Sequence, residues 1–197
     1  MSTTTKRKET RRKLLLSLLI VGVLGSLATV ATWSAFSDTT ANSANSFDAG
    51  SVALSDNDSG AFMYQVTGAK PGVNTVKCIT VSYSGSLDAD VKLYTTTTTI
   101  PSAAQNINLT IDKGTATGAT FPGCGVFTSE ATIYTGSLYD FQQNKNSYAN
   151  SVSAYPGSTT KWATGNSLVY RFTVSVTDAG NGVSSGAHQF TWDARNQ

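Results

Sequence analysis

The run Thr75-Val76-Lys77-Cys78-Ile79-Thr80-Val81-Ser82-Tyr83-Ser84 (TVKCITVSYS) decides how the rest of the chain reads. Lys77, Ile79, Val81 and Tyr83 fall on one face, and Val76, Cys78, Thr80 and Ser82 on the other. A period of two built on β-branched residues predicts a strand with one buried face. The pattern recurs downstream. Ala89–Thr97 carries Val91, Leu93 and Thr95, and its five-threonine run Thr95–Thr99 reads as an extended edge. Ile107, Leu109 and Ile111 alternate up to a predicted turn at Asp112-Lys113-Gly114, and Ala131, Ile133 and Leu138 mark a further strand. Leu168, Tyr170, Phe172, Val174 and Val176 share one face, and Phe190, Trp192 and Ala194 alternate with Gln189, Thr191 and Asp193.

Upstream, Phe47–Leu54 reads as the first strand, Asp56-Asn57-Asp58-Ser59-Gly60 as a turn, and Phe62, Tyr64 and Val66 as a second strand ended by Gly68–Gly72. Thr115–Gly125, Asn144–Thr160 and Asp178–Gly186 read as loops, while Leu138 and Phe141, three apart, predict a single helical turn over Ser137–Asn144. Short strands separated by Gly, Ser and Asn turns, without amphipathic helices, predict an all-β fold. The expected form is an antiparallel β-sandwich with one or two short helical turns in its loops.

The N-terminus has a different character. A basic cluster (Lys6, Arg7, Lys8, Arg11, Arg12, Lys13) runs into an apolar, uncharged segment from Leu14 to Thr32. That is the layout of a secretory signal over residues 1–34, cut by a signal peptidase between Ser34 and Ala35. Its length is near the lower limit for spanning a bilayer, so an uncleaved anchor is the alternative. Gly22, Gly25, Ser26, Thr29 and Thr32 dilute its second half and favour cleavage. The mature chain would comprise a low-complexity segment, 35–46, and a sandwich domain, 47–197. The first is too small and polar to fold alone.

The leader also distorts the charge balance. Six of the fourteen basic residues and one of the twelve acids lie in it, leaving eight basic and eleven acidic residues and a mature net charge near −3. Such a surface lacks the clustered cations that bind nucleic acid. Cys78 and Cys124 are the only cysteines. In an oxidising compartment they read as a disulfide, with two buried thiols as the alternative.

Two stretches resemble the TasA/camelysin family. One is Trp33-Ser34-Ala35-Phe36-Ser37-Asp38 followed by Asn45-Ser46-Phe47-Asp48-Ala49-Gly50; the other is Lys70-Pro71-Gly72 leading into Thr80–Leu93 with its Gly85-Ser86-Leu87-Asp88-Ala89-Asp90-Val91 core. Ser84 stands where that family usually has Asn. The resemblance covers the first half of the mature domain. It implies a jelly-roll form of the sandwich and an extracellular or biofilm-matrix fibre. It also implies that the mature N-terminus (Ala35, Phe36, Ser37, Asp38, through Phe47) completes the sheet of the next copy. The partners would then be other copies of this chain, with other matrix proteins as further candidates. The family also carries a metallopeptidase label.

No catalytic motif accompanies that label. His188 is the sole histidine, and no H-E-x-x-H or G-x-S-x-G occurs. Asp56 and Asp58 read first as turn carboxylates and second as a weak calcium candidate. Trp162, Trp192 and the tyrosines read as core or cross-strand aromatics before they read as a glycan platform. The expected protein is a secreted fibre subunit without a cofactor. A cell-surface metallopeptidase and a monomeric surface binding module are the rivals.

Overall fold

A computed structural model describes residues 50–180 and 184–196, all within one unit, Ala49–Gln197. The expected signal (1–34), its cut at Ser34/Ala35 and the segment Ala35–Phe47 lie outside the described residues. Among the described residues eight strands form two antiparallel sheets. In chain order they are β1 (Leu54–Asp56), β2 (Thr75–Tyr83), β3 (Asp90–Tyr94), β4 (Ile107–Thr117), β5 (Val126–Ser137), β6 (Val152–Ser153), β7 (Ser167–Val176) and β8 (Thr191–Arg195). Among the described residues one helix, α1 (Leu138–Asn144), follows β5, and 3-10 turns occupy Ser102–Asn106 and Asp178–Gly180. The larger sheet runs β1-β2-β7-β4-β5 and the smaller β6-β3-β8. This is the sandwich architecture read from the sequence.

Alternation builds the core. Ile79, Val81 and Tyr83 on β2, Leu168, Tyr170 and Phe172 on β7, and Ile107, Leu109 and Ile111 on β4 face inward. They meet Val91, Leu93 and Val152 from the smaller sheet, with Trp162, Leu138 and Phe141 sealing the ends. Trp162 is wholly buried and its Nε1 donates to the Ala154 carbonyl at 2.7 Å. It is core, as expected. Ser137 starts α1 by accepting from the Asp140 amide at 2.9 Å, the bond a serine N-cap provides.

Six expectations need correction. The first strand, read at Phe47–Leu54, is β1 at Leu54–Asp56: residues 50–53 lie in no strand, and Asp56 pairs with Val81 before the turn begins. Phe62, Tyr64 and Val66 form no strand: no neighbouring strand pairs with residues 57–74, and Phe62 is 84% exposed. β4 does not turn at Asp112-Lys113-Gly114 but continues to Thr117. There the missing Gly114 side chain admits the Thr128 carbonyl of β5, against which any Cβ would clash. β5 accordingly begins at Val126, well before Ala131, and Leu138 starts the helix rather than ending the strand. The threonine run is not an edge strand: β3 ends at Tyr94, and buried Thr95 donates its amide to Lys145 at 2.8 Å. The loop Asn144–Thr160 holds β6 and the buried Val152 and Ala154.

Asp112 and Lys113 stay in the strand because tertiary partners satisfy them. Asp112 accepts from Arg171 Nη2 at 2.8 Å, from Nε at 3.2 Å and from the Thr132 hydroxyl at 2.5 Å. The Arg171 guanidinium also lies 4.5 Å from the Phe127 ring centre. Lys113 Nζ donates to the Tyr155 and Gly157 carbonyls and pairs with Glu130 at 3.3 Å. Asp112→Ala is expected to lower the unfolding free energy by about 2–3 kcal/mol in urea titrations. That is less than a fully buried pair loses, because Arg171 remains a third exposed and water reaches it. An unchanged midpoint would refute the role given to this pair.

Candidate functional site

Chain path sets where the surface is open. Three of the four sheet edges are blunted: β6 has two residues, β8 carries Asp193 and Arg195, and β5 is broken by two register shifts against β4. The fourth edge is β1 over β2. β1 pairs only with Val81–Tyr83, and Asn57 then brackets Thr80, accepting from its amide at 2.9 Å and donating to its carbonyl at 3.2 Å. Beyond this the turn at Ser59 (φ 52°) and Gly60 (φ 78°) carries the chain off the sheet.

Asp56 and Asp58 make that turn. Asp56 Oδ1 accepts from the Asp58 amide at 3.1 Å and Asp58 Oδ1 from the Gly60 amide at 2.6 Å. Burial, followed by the Asp58 carboxylate, raises the Asp56 pKa against the lowering effect of its backbone bond. Both line a hollow of about 290 Å³ at the seam between β1 and β8, floored by Val81 and Trp192. No third acid, histidine or cysteine joins them among the described residues.

Past the turn, residues 62–67 face the bare part of the β2 edge across a groove of about 490 Å³, which Thr75, Lys77 and Pro122 complete. The disulfide Cys78–Cys124 (Cα–Cα 4.9 Å) pins the loop after β4 here, and the Pro122 carbonyl accepts from the Cys78 amide at 3.0 Å. Four of the five exposed large hydrophobic residues among the described residues, Phe62, Val66, Val73 and Val76, belong to this groove's strand or to the loop beside it. The groove was invisible in the sequence, where Phe62–Val66 reads as a strand. Only the unusual exposure of an apolar alternation marks it.

His188 ties the groove wall down. Its Nε2 lies 2.6 Å from the Tyr64 hydroxyl and its Nδ1 3.2 Å from the Gly186 carbonyl, and Phe190 packs edge-on against the ring. The contacts define the tautomer: Nδ1–H donates to Gly186 and Nε2 accepts from Tyr64. Burial lowers the His188 pKa, opposed in part by the Gly186 carbonyl, and raises that of Tyr64. The sign follows. The unfolded chain binds the proton more readily, so this contribution to stability is complete above the ordinary histidine pKa of about 6.5 and is lost as pH falls below it. The melting temperature should therefore fall more between pH 7.5 and 5 in the native chain than in His188→Gln; parallel curves would reject the assignment.

A second cluster, on the smaller sheet, also escaped the sequence reading. The Arg195 guanidinium lies 3.9 Å from the centre of the Tyr148 ring and Lys92 Nζ 5.5 Å from it. Tyr155 donates to Asp90 at 2.5 Å, and burial followed by Asp90 pushes the Tyr148 pKa up to about 12.

The family described as Camelysin metallo-endopeptidase matches residues 10–171, well over half of the chain. That description implies a metal, and the donor set does not suit one. Both cysteines are spent in the disulfide, His188 directs both nitrogens at protein oxygens, and among the described residues no three of His, Cys, Asp and Glu converge. These residues do not fit the three-ligand zinc centre of a peptidase. No curated protein matches the chain. By the extent of the family match, the chain belongs to the camelysin metallo-endopeptidase family.

Proposed function

We propose that this chain is an exported structural subunit, assembling at the cell surface or in the extracellular matrix, in which residues 35–46 of one copy pair by main-chain hydrogen bonds with the body of the next. The single observation that carries this reading is the open stretch of the β2 edge in an otherwise blunted sandwich. The leader, with its basic cluster and apolar run, supports export. The segment after it contains no proline and two large apolar residues, Phe36 and Phe47 once the first residue of the body is counted, so it can pair as a strand but cannot fold alone.

Electron microscopy of the chain beginning at Ala35 should show polymers, and deletion of residues 35–46 should abolish them while leaving the circular dichroism of the body unchanged. Polymers that survive the deletion would reject the mechanism. The family description favours a second reading, a metallopeptidase. Casein cleavage by the purified chain that chelator suppresses would establish it in place of the first.

A further inference from the structure

We propose that residues 61–73 form a lid over one end of the sandwich, latched by the Tyr64–His188 hydrogen bond, and that acid releases the latch while both sheets stay folded. The lid works the same way whether or not copies of the chain assemble.

Its connections are sparse. Between Asn57, which is bound to Thr80, and Thr75, which opens β2, the chain runs through residues 58–74 without helix or strand. Connections longer than about 12–15 residues with no secondary structure of their own are uncommon outside lids and binding loops. The main-chain bonds within it are local: Ala61 donates to Asp58 at 2.9 Å and Val73 to Lys70 at 3.2 Å. Among the described residues, the one hydrogen bond that ties 61–73 to a distant segment joins the Tyr64 hydroxyl to His188 Nε2. Gly60 and Gly72 bracket the segment as turns, both at positive φ (78° and 76°) with open space where a Cβ would stand.

Packing shows what lies beneath. Phe62 is exposed, but Met63 packs against the core. From Tyr64 a run of rings leads inward: the Tyr64 ring centre is 5.5 Å from that of His188, His188 is 5.8 Å from Phe190, and Phe190 is 4.5 Å from Phe172. Phe172 stands on β7 opposite Lys77 of β2, and Phe190 leads into β8, so the lid meets both sheets at this end. A segment with few hydrogen bonds to the body opens locally at a fraction of the free energy of global unfolding.

Acid acts on the latch. Three groups contact the His188 ring: the Gly186 carbonyl of its own loop, the Tyr64 hydroxyl of the lid and the Phe190 ring just before β8. None is charged. Tyr64 alone among them titrates, and burial raises its pKa, so it stays a phenol. Lys77, which lines the groove with Tyr64, is a cation and would repel a second one. A proton on buried His188 therefore gains no carboxylate and loses its water, which is why burial lowers the His188 pKa. With the lid open, the imidazole meets solvent and titrates near its ordinary value of about 6.5. The open fraction then rises as pH falls, by up to about thirtyfold between pH 7.5 and 5.

Methionine oxidation tests this. Peroxide passes one oxygen to the Met63 sulfur, leaving water and a sulfoxide that peptide mass spectrometry locates. In the full chain the rate at Met63, relative to free methionine in the same buffer, should rise at least about fivefold between pH 7.5 and 5 with the circular dichroism unchanged. His188→Gln keeps a neutral donor and acceptor and takes up no proton, so its rate should stay level. Tyr64→Phe breaks the latch, so its rate should already exceed the native one at pH 7.5. The lid is overturned by a native rate that stays level, by a His188→Gln rate that climbs as steeply as the native one, or by a Tyr64→Phe chain oxidised no faster than native at pH 7.5. A rise that comes with loss of the β-sheet spectrum also overturns it, since the whole body would then be unfolding.

Discussion

Trp162→Ala is expected to lower the unfolding free energy by about 3–5 kcal/mol, the range for removing a large buried aromatic side chain. Trp162 is wholly buried, and it does two jobs at one end of the sandwich. Its main chain exchanges bonds with Ala89, N–H to carbonyl in each direction at 2.8 and 2.9 Å, which docks the loop after β6 onto the start of β3. Its indole then reaches back to the Ala154 carbonyl at 2.7 Å. Alanine keeps the first and loses the second, orphaning a buried carbonyl beside a cavity. Denaturant titration should place the variant's midpoint far below the native one. Trp162→Phe, which fills most of the volume and lacks the N–H, should recover a large part of the loss. A Phe variant no better than Ala would mean that the hydrogen bond, not packing, dominates.

Cys78→Ala with Cys124→Ala comes next, at about 4 kcal/mol. The bond closes a loop of 46 residues, and the chain-entropy estimate grows slowly with that length. The loss should appear as a lower melting temperature for the double variant, and as an equal drop for the native chain under a thiol reductant. If reduction leaves the melting curve in place, the bond contributes little to this fold.

Much of the sandwich was legible because alternation is a local property. β2, β7 and β8 follow the predicted runs closely, and the helical turn at Leu138 and Phe141 falls where the spacing put it. The misreadings share one cause: tertiary context, invisible to the local pattern, supplied or withheld the partner that the pattern assumed. Asp112-Lys113-Gly114 has the composition of a turn, yet Arg171 and Thr132 satisfy the aspartate, two carbonyls and Glu130 hold the lysine, and the glycine makes room for a neighbouring strand. Phe62, Tyr64 and Val66 have the period of a strand and no strand to pair with, so tertiary context overrides the pattern.

The sequence by itself determined the layered β architecture, the cysteine pair and the poverty in metal-binding side chains, since periodicity and composition need no coordinates. Tertiary structure alone decided which edge stays open. That depends on where a turn lifts the chain off the sheet, which loop the disulfide brings back to it, and which main-chain groups remain without partners once every other strand has found its neighbour.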